Sequence, residues 1–148
     1  MTGNVKDATQ ERLTLQSRMS ELSQLSAWIE RLASRYSIPG ATQFAMNLCL
    51  EEVLSNIIQH GYCRKPDRSI LINFSRPRTG YFVLEVDDEA PPFNPLDVPE
   101  RPALNTLDDL RIGGQGLRLL RRFADGLEYQ ATPTGNRLSI GFCLTDLQ

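Results

Sequence analysis

Glu51-Glu52-Val53-Leu54-Ser55-Asn56-Ile57-Ile58-Gln59-His60-Gly61-Tyr62 closes a run that begins near Ala41, and the fold can be worked out from it in both directions. At about 100° per residue, Met46, Cys49, Leu50, Val53, Leu54, Ile57 and Ile58 fill one broad apolar arc. That pattern predicts a core-facing helix from about Ala41 to His60, stopped by Gly61. Glu52 and Asn56 stand four residues apart along one border of the arc. A border position leaves a side chain half buried with a fixed rotamer. There a carboxylate can act as a base and a carboxamide oxygen can ligate a hard cation. The same spacing also suits a plain amphipathic helix whose polar border only touches solvent. Glu51 points farther from the arc and reads as a surface residue. His60, the only histidine, has no orienting partner in the sequence and reads as a helix-end residue near the C-terminal dipole.

Upstream, Arg12 to Gln16 alternates polar and apolar and reads as an edge strand. Ser20 or Ser23 is a candidate cap for a helix with a stripe at Leu22, Leu25, Trp28, Ile29 and Leu32, which fits core or a partner-facing seam. Downstream, Ile70–Phe74 and Tyr81–Val86 read as strands joined by a turn containing Pro77 and Gly80. Residues 91–111 are proline-rich and without sustained period, and a connection this long in a compact domain is usually functional. A helix from Gly116 to Ala124 follows, with Leu117, Leu120 and Phe123 inward. Strands near Leu127–Ala131 and Arg137–Leu144 then meet at a turn through Pro133 and Gly135-Asn136. That order predicts an α+β domain with helices on one face of a largely antiparallel sheet.

Two further segments carry chemistry. Asp88 follows an apolar strand, so its carboxylate lies at a sheet end; ionised, it can accept a hydrogen bond from the exocyclic amino group of adenine, or stabilise its own turn. Strand alternation sends Asp87 to the opposite face. Gly113-Gly114-Gln115-Gly116 opens a helix, whose unpaired N–H groups and positive dipole end suit phosphate oxygens. Following a long loop, these glycines suggest the hinge of a lid.

At 148 residues the chain suits one domain. A formal charge of −2 gives no electrostatic reason to expect nucleic acid or an anionic membrane as partner, and the basic cluster Arg118, Arg121 and Arg122 reads as a solvated helix face. The three cysteines have no metal-ligand spacing; Cys49 and Cys143 lie in apolar runs that suggest core, whereas Cys63 sits in a turn. With no bilayer-length apolar stretch and no signal-peptide pattern, a cytoplasmic protein is expected.

Together the segments resemble the Bergerat ATP-binding fold of gyrase-type ATPases, ATP-driven chaperones and histidine kinases (the GHKL class). More narrowly, the chain resembles the serine-kinase anti-sigma factors of bacterial partner-switching systems. Their E-x-x-x-N-x-x-x-H-G-Y box is matched by Glu52, Asn56, His60, Gly61 and Tyr62. Their D-x-G box is matched by Asp88-Glu89-Ala90, followed by Phe93-Asn94-Pro95. Their G-G-x-G-L box is matched by Gly113, Gly114, Gly116 and Leu117, and the Asp, Tyr and G-N-x-L positions beyond it by Asp125, Tyr129 and Gly135-Asn136-Arg137-Leu138.

The likeness runs over about residues 12 to 144 and implies a two-layer α/β sandwich, with a tail over 1–10, one domain over 11–148 and an ATP lid over about 96–112. It implies that Glu52 takes the proton from a target serine, that Asn56 holds Mg²⁺ on ATP and that Asp88 binds adenine. Ala90, Phe93, Gly113, Gly114, Gln115, Gly116 and Leu117 would contact nucleotide. The implied partners are a STAS-domain anti-sigma-factor antagonist and a sigma factor, with a homodimer allowed. Ala90 and Pro92 stand where the family carries glycine, which implies strain if that backbone is left-handed. A binding module that sequesters its partner without catalysis, or a free ATPase, fits the same fold.

Overall fold

The computed structural model describes residues 10–97 and 114–144, with side chains described from residue 118 in the second stretch. Residues 1–9 of the expected tail and residues 98–112 of the expected lid lie outside the described residues. Gln10, placed in the tail by the sequence, is already the first residue of a strand.

The element order is β1 (Gln10–Gln16), α1 (Ser23–Tyr36), α2 (Gly40–Asn56), β2 (Ser69–Arg78), β3 (Tyr81–Asp88), α3 (Gly114–Phe123), β4 (Gly126–Ala131) and β5 (Asn136–Cys143). The five strands form one sheet in the order β1-β2-β3-β5-β4, with every pairing antiparallel. β1 is an edge strand, as its alternation predicts. The expected α+β architecture is therefore the observed one.

Period-2 alternation gives the sheet two unlike faces. Ile70, Ile72 and Phe74 of β2, Phe82, Leu84 and Val86 of β3, and Leu138, Ile140 and Phe142 of β5 are buried. They form one core with Leu25, Trp28, Ile29 and Leu32 of α1 and with Met46, Cys49, Leu50, Val53 and Leu54 of α2. Each of these large apolar side chains contributes about 1.5–3 kcal/mol relative to exposure. The α1 stripe is thus core, and the partner-seam alternative is not what α1 does here. On the other sheet face, Arg137 donates through Nε and Nη2 to Asp87 Oδ1 and Oδ2 at 2.8 and 2.9 Å. Asp87 does point away from the helices, and its pairing raises the pKa of the Arg137 guanidinium, first by the hydrogen bonds and then by charge.

Some local expectations change. Neither Ser20 nor Ser23 caps α1: a 3₁₀ turn, Met19–Leu22, leads into the helix, and Ser23 Oγ donates to the Ser20 carbonyl instead. Pro77 stays inside β2, where the β2–β3 register shifts between Ser75 and Arg78, so its missing donor falls at an irregularity. Cys143 is exposed rather than core, because β5 alternation turns the last residue outward. Cys49 is buried, and its thiol is pushed up to about 12, chiefly by burial and then by the charge of Glu52.

Candidate functional site

Sheet topology brings together two residues far apart in sequence. β3 ends at Asp88, β5 begins at Asn136, and the two are partners in register. Both are 8% exposed. Asn136 Nδ2 donates to Asp88 Oδ1 at 2.9 Å and to the carbonyls of Ala90 and Pro91, each at 3.2 Å. Asn136 Oδ1 accepts the Phe93 N–H at 2.9 Å and also the Tyr129 hydroxyl. One carboxamide therefore engages all of its hydrogen-bonding capacity, most of it on residues 88–93. Asp88 Oδ1 also accepts the Ala90 N–H at 2.9 Å, whereas Oδ2 has no hydrogen bond among the described residues.

The turn before Asn136 fits as tightly. A Cβ added to Gly135 would stand 2.0 Å from the Asp88 carbonyl oxygen and 2.6 Å from the Glu89 Cα. Only a glycine lets the β4–β5 turn press on the backbone of the acidic segment.

α2 reaches the same segment from the other side. After Asn56 the helix widens into a π-type turn over Ile57–Gly61, where the Tyr62 N–H bonds the Ile57 carbonyl at 2.7 Å. Such turns are frequent at functional sites. Gly61 then lies against Ala90: a Cβ on Gly61 would be 3.2 Å from the Ala90 Cβ. The buried Tyr62 hydroxyl accepts the Glu89 N–H at 2.6 Å and donates to the Ser69 carbonyl at 2.9 Å. Asn56 is the last residue of α2 before this turn.

The expected strain at Ala90 does not arise. Among the described residues the non-glycine positions with left-handed φ are Ser37, Cys63 and Arg64. The Ala90 methyl is buried and faces Gly61, which has room for it. Pro92 is exposed.

Glu52 is half buried, as its border position predicts, and Glu51 is exposed. Burial raises the Glu52 pKa, and the neighbouring Glu51 charge raises it further. Neither Glu52 nor Asn56 makes a hydrogen bond among the described residues, so no described group satisfies this carboxyl or this carboxamide. His60 is exposed at the end of the same helix.

Gly114, Gln115 and Gly116 form the first turn of α3, so this segment does open a helix; Gly113 and the Leu117 side chain lie outside the described residues. α3 is joined to the other two segments. Arg121 Nη2 donates to the Leu96 carbonyl at 2.9 Å, and Phe123 meets Phe44 of α2 edge-on with ring centroids 6.3 Å apart. The basic cluster is thus only partly a solvated face. Leu120 is buried as expected, and the Phe93 ring is 62% exposed, with only its N–H held inward.

Burial raises the Asp88 pKa from its ordinary value; the Asn136 and Ala90 hydrogen bonds pull it back, and the Asp87 and Glu89 charges add to the rise. A raised folded-state pKa means the folded protein binds the proton more tightly than the unfolded chain. Its contribution is complete below the unfolded pKa and is lost as pH rises through the folded value. Asp88→Asn is therefore expected to remove one source of falling stability as pH rises through the acidic range, making the slope with pH more positive there. Urea unfolding over a pH series checks this, and an unchanged slope would contradict it.

Tyr62, Tyr129, Gly135 and Asn136 are recognisable in the sequence as motif residues, but nothing local gives them work. The Gly-Asn turn is the visible signal. What it touches depends on β5 inserting between β3 and β4, which no local pattern shows.

A two-layer domain of this topology, with an acidic strand end, a helix carrying Glu and Asn, and a glycine-opened helix joined to one another, defines a class of ATP-binding fold. The chain belongs to the histidine kinase-like ATPase domain family, whose model matches residues 15–142. The serine/threonine-protein kinase BtrW of Bordetella bronchiseptica is 32% identical over 114 residues, which is 76% of this chain and 79% of that protein. An anti-sigma F factor of Heyndrickxia coagulans is 26% identical over 82 residues, covering 55% of this chain and 56% of that protein. Among solved structures, the RsbU and RsbW domains of a Mycobacterium tuberculosis protein superpose with a TM-score of 0.64 at 11% identity. That match covers 90% of this chain and 32% of the other, and it shows the fold alone. No described helix is long and apolar enough to cross a membrane.

Proposed function

We propose that this chain is an ATP- and Mg²⁺-dependent protein serine kinase of a partner-switching pathway. It phosphorylates a STAS-type anti-sigma-factor antagonist and sequesters a sigma factor in the cytoplasm. The observation that carries the reading is Glu52: half buried, raised in pKa, without a hydrogen-bond partner among the described residues, and one helical turn from an equally unpartnered Asn56. The kinase and anti-sigma names of the relatives support it.

In this reading Glu52 takes the proton from the acceptor serine hydroxyl, and burial brings its pKa closer to the working pH. Asp88 Oδ2 accepts from the adenine amino group while Oδ1 stays fixed by Asn136 and Ala90. Ala90 and Phe93 border the base, the first turn of α3 from Gly114 offers amides to phosphate, and Gly113 and the expected lid over about 96–112 would complete the site. Asn56 offers one neutral oxygen, and the described residues hold no cluster of three or more His, Cys, Asp or Glu able to cage a metal. That donor set fits Mg²⁺, which keeps most of its ligands from water and phosphate oxygens. Bound there, the ion would neutralise charge on the triphosphate; positioning does the rest.

The α1 stripe is taken up by the core, so a second copy in a homodimer would dock elsewhere. The module reading rests on Ala90 and Pro92 in place of glycines; Ala90 is not among the described residues with left-handed φ, which supports the kinase reading. Labelled ATP incubated with this chain and candidate STAS proteins is expected to give Mg²⁺-dependent phosphoserine on one of them. Firm nucleotide binding with no label on any candidate would favour the module.

A further inference from the structure

We infer that Asn136 is a positioning residue for nucleotide selectivity, its carboxamide fixing one oxygen of Asp88 so that the other is presented to the base. The inference rests on the reading of Asp88 as the adenine acceptor and goes beyond it. Asp88 and Asn136 are in-register partners at the ends of two adjacent strands, and both are buried. The Nδ2 donor holds Asp88 Oδ1 at 2.9 Å and also ties the Ala90 and Pro91 carbonyls. The Oδ1 acceptor ties the Phe93 N–H and the Tyr129 hydroxyl. This side chain thus acts, beside the Ala90 N–H, on the rotamer of the carboxylate and also on the path of the backbone next to it. Tyr62, just beyond the π-type turn, braces the same segment through the Glu89 N–H and makes no hydrogen bond to the carboxylate.

Among the described residues, no charged or titratable side chain donates to Asp88. Asp87 and Glu89 flank it in the chain and oppose its ionisation, as burial does. Arg137 on β5 is committed to Asp87 on the opposite face. From α2 and β4 come the Tyr62 and Tyr129 hydroxyls, which bond to Glu89 and Asn136 and not to the carboxylate. Asn136 and the Ala90 N–H are therefore the groups that favour the carboxylate form.

The test is calorimetry of ATP·Mg²⁺ and GTP·Mg²⁺ binding to the full chain and to Asn136→Ala, across the acidic to neutral range, with folding checked by circular dichroism. The wild type is expected to prefer ATP and to lose it as the pH falls through the Asp88 titration. In Asn136→Ala, ATP affinity at neutral pH and the ATP-to-GTP ratio each fall about tenfold, the effect of one charge-assisted hydrogen bond. The pH at which ATP is lost moves upward, which a purely structural role would not produce. If Asn136→Ala does not fold, Asn136→Ser carries the test: its single hydroxyl donor should give the same shifts at smaller size.

A folded variant with the wild-type ratio and midpoint overturns the inference alone, since water would then replace the carboxamide. A wild type that binds ATP and GTP equally overturns the reading of Asp88 and the inference together.

Discussion

Glu52→Gln is expected to lower phosphate transfer to the acceptor protein by about 10²–10⁴-fold while leaving ATP affinity unchanged. The substitution keeps the shape and the half-buried position of the side chain but removes its ability to hold a proton from the serine hydroxyl. Stability should not fall with activity. The folded-state pKa of Glu52 lies above its ordinary value, chiefly through burial, so the ionised form is disfavoured by folding. Its contribution to stability is present below the unfolded pKa and lost as pH rises through the folded one. At neutral pH the carboxylate is a cost, and glutamine removes it. A thermal melt at neutral pH should show Tm unchanged or raised. Single-turnover transfer gives the kinetic result, and full activity in the variant would remove Glu52 from the role of base.

Gly135→Ala is expected to be the most damaging single-methyl change near the site. The added carbon would stand 2.0 Å from the Asp88 carbonyl oxygen and 2.8 Å from its carbonyl carbon, distances that no rotamer can relieve. Backbone on one side or the other must move. Overpacking of this kind costs about 1–3 kcal/mol, or roughly 2–4 °C of Tm per kcal/mol for a chain of this size. Because the displaced atoms belong to Asp88 and Glu89, ATP affinity should fall as well, by about tenfold for a lost charge-assisted hydrogen bond. Paired melts and ATP titrations check this. Loss of stability with unchanged ATP affinity would show that the turn supports the fold without positioning the nucleotide site.

The sequence made local structure legible and left distant contacts hidden. The apolar arc from Met46 to Ile58 predicted α2 and placed Glu52 and Asn56 on its border, where the structure has them. Period-2 alternation separated Asp87 from Asp88 because side-chain direction in a strand is a local property. Three things were not legible. The π-type turn at Ile57–Gly61 sets Gly61 against Ala90, a residue of another element. The role of Asn136 depends on β5 pairing with β3 rather than lying at an edge. The exposure of Cys143 depends on where β5 stops, and apolar neighbours in sequence do not show that. In the first two cases the deciding contact joins residues far apart in the chain.

The proposed kinase requires Asn56, Asp88 and the first turn of α3 to wall one nucleotide site with Glu52 beside it. Backbone amide NMR during titration with ATP·Mg²⁺ is the decisive measurement. Saturable shifts should appear together at Glu52–Asn56, Asp88–Ala90 and Gly114–Gly116. Shifts confined to one of these segments, or lying elsewhere on the sheet, would rule the shared site out.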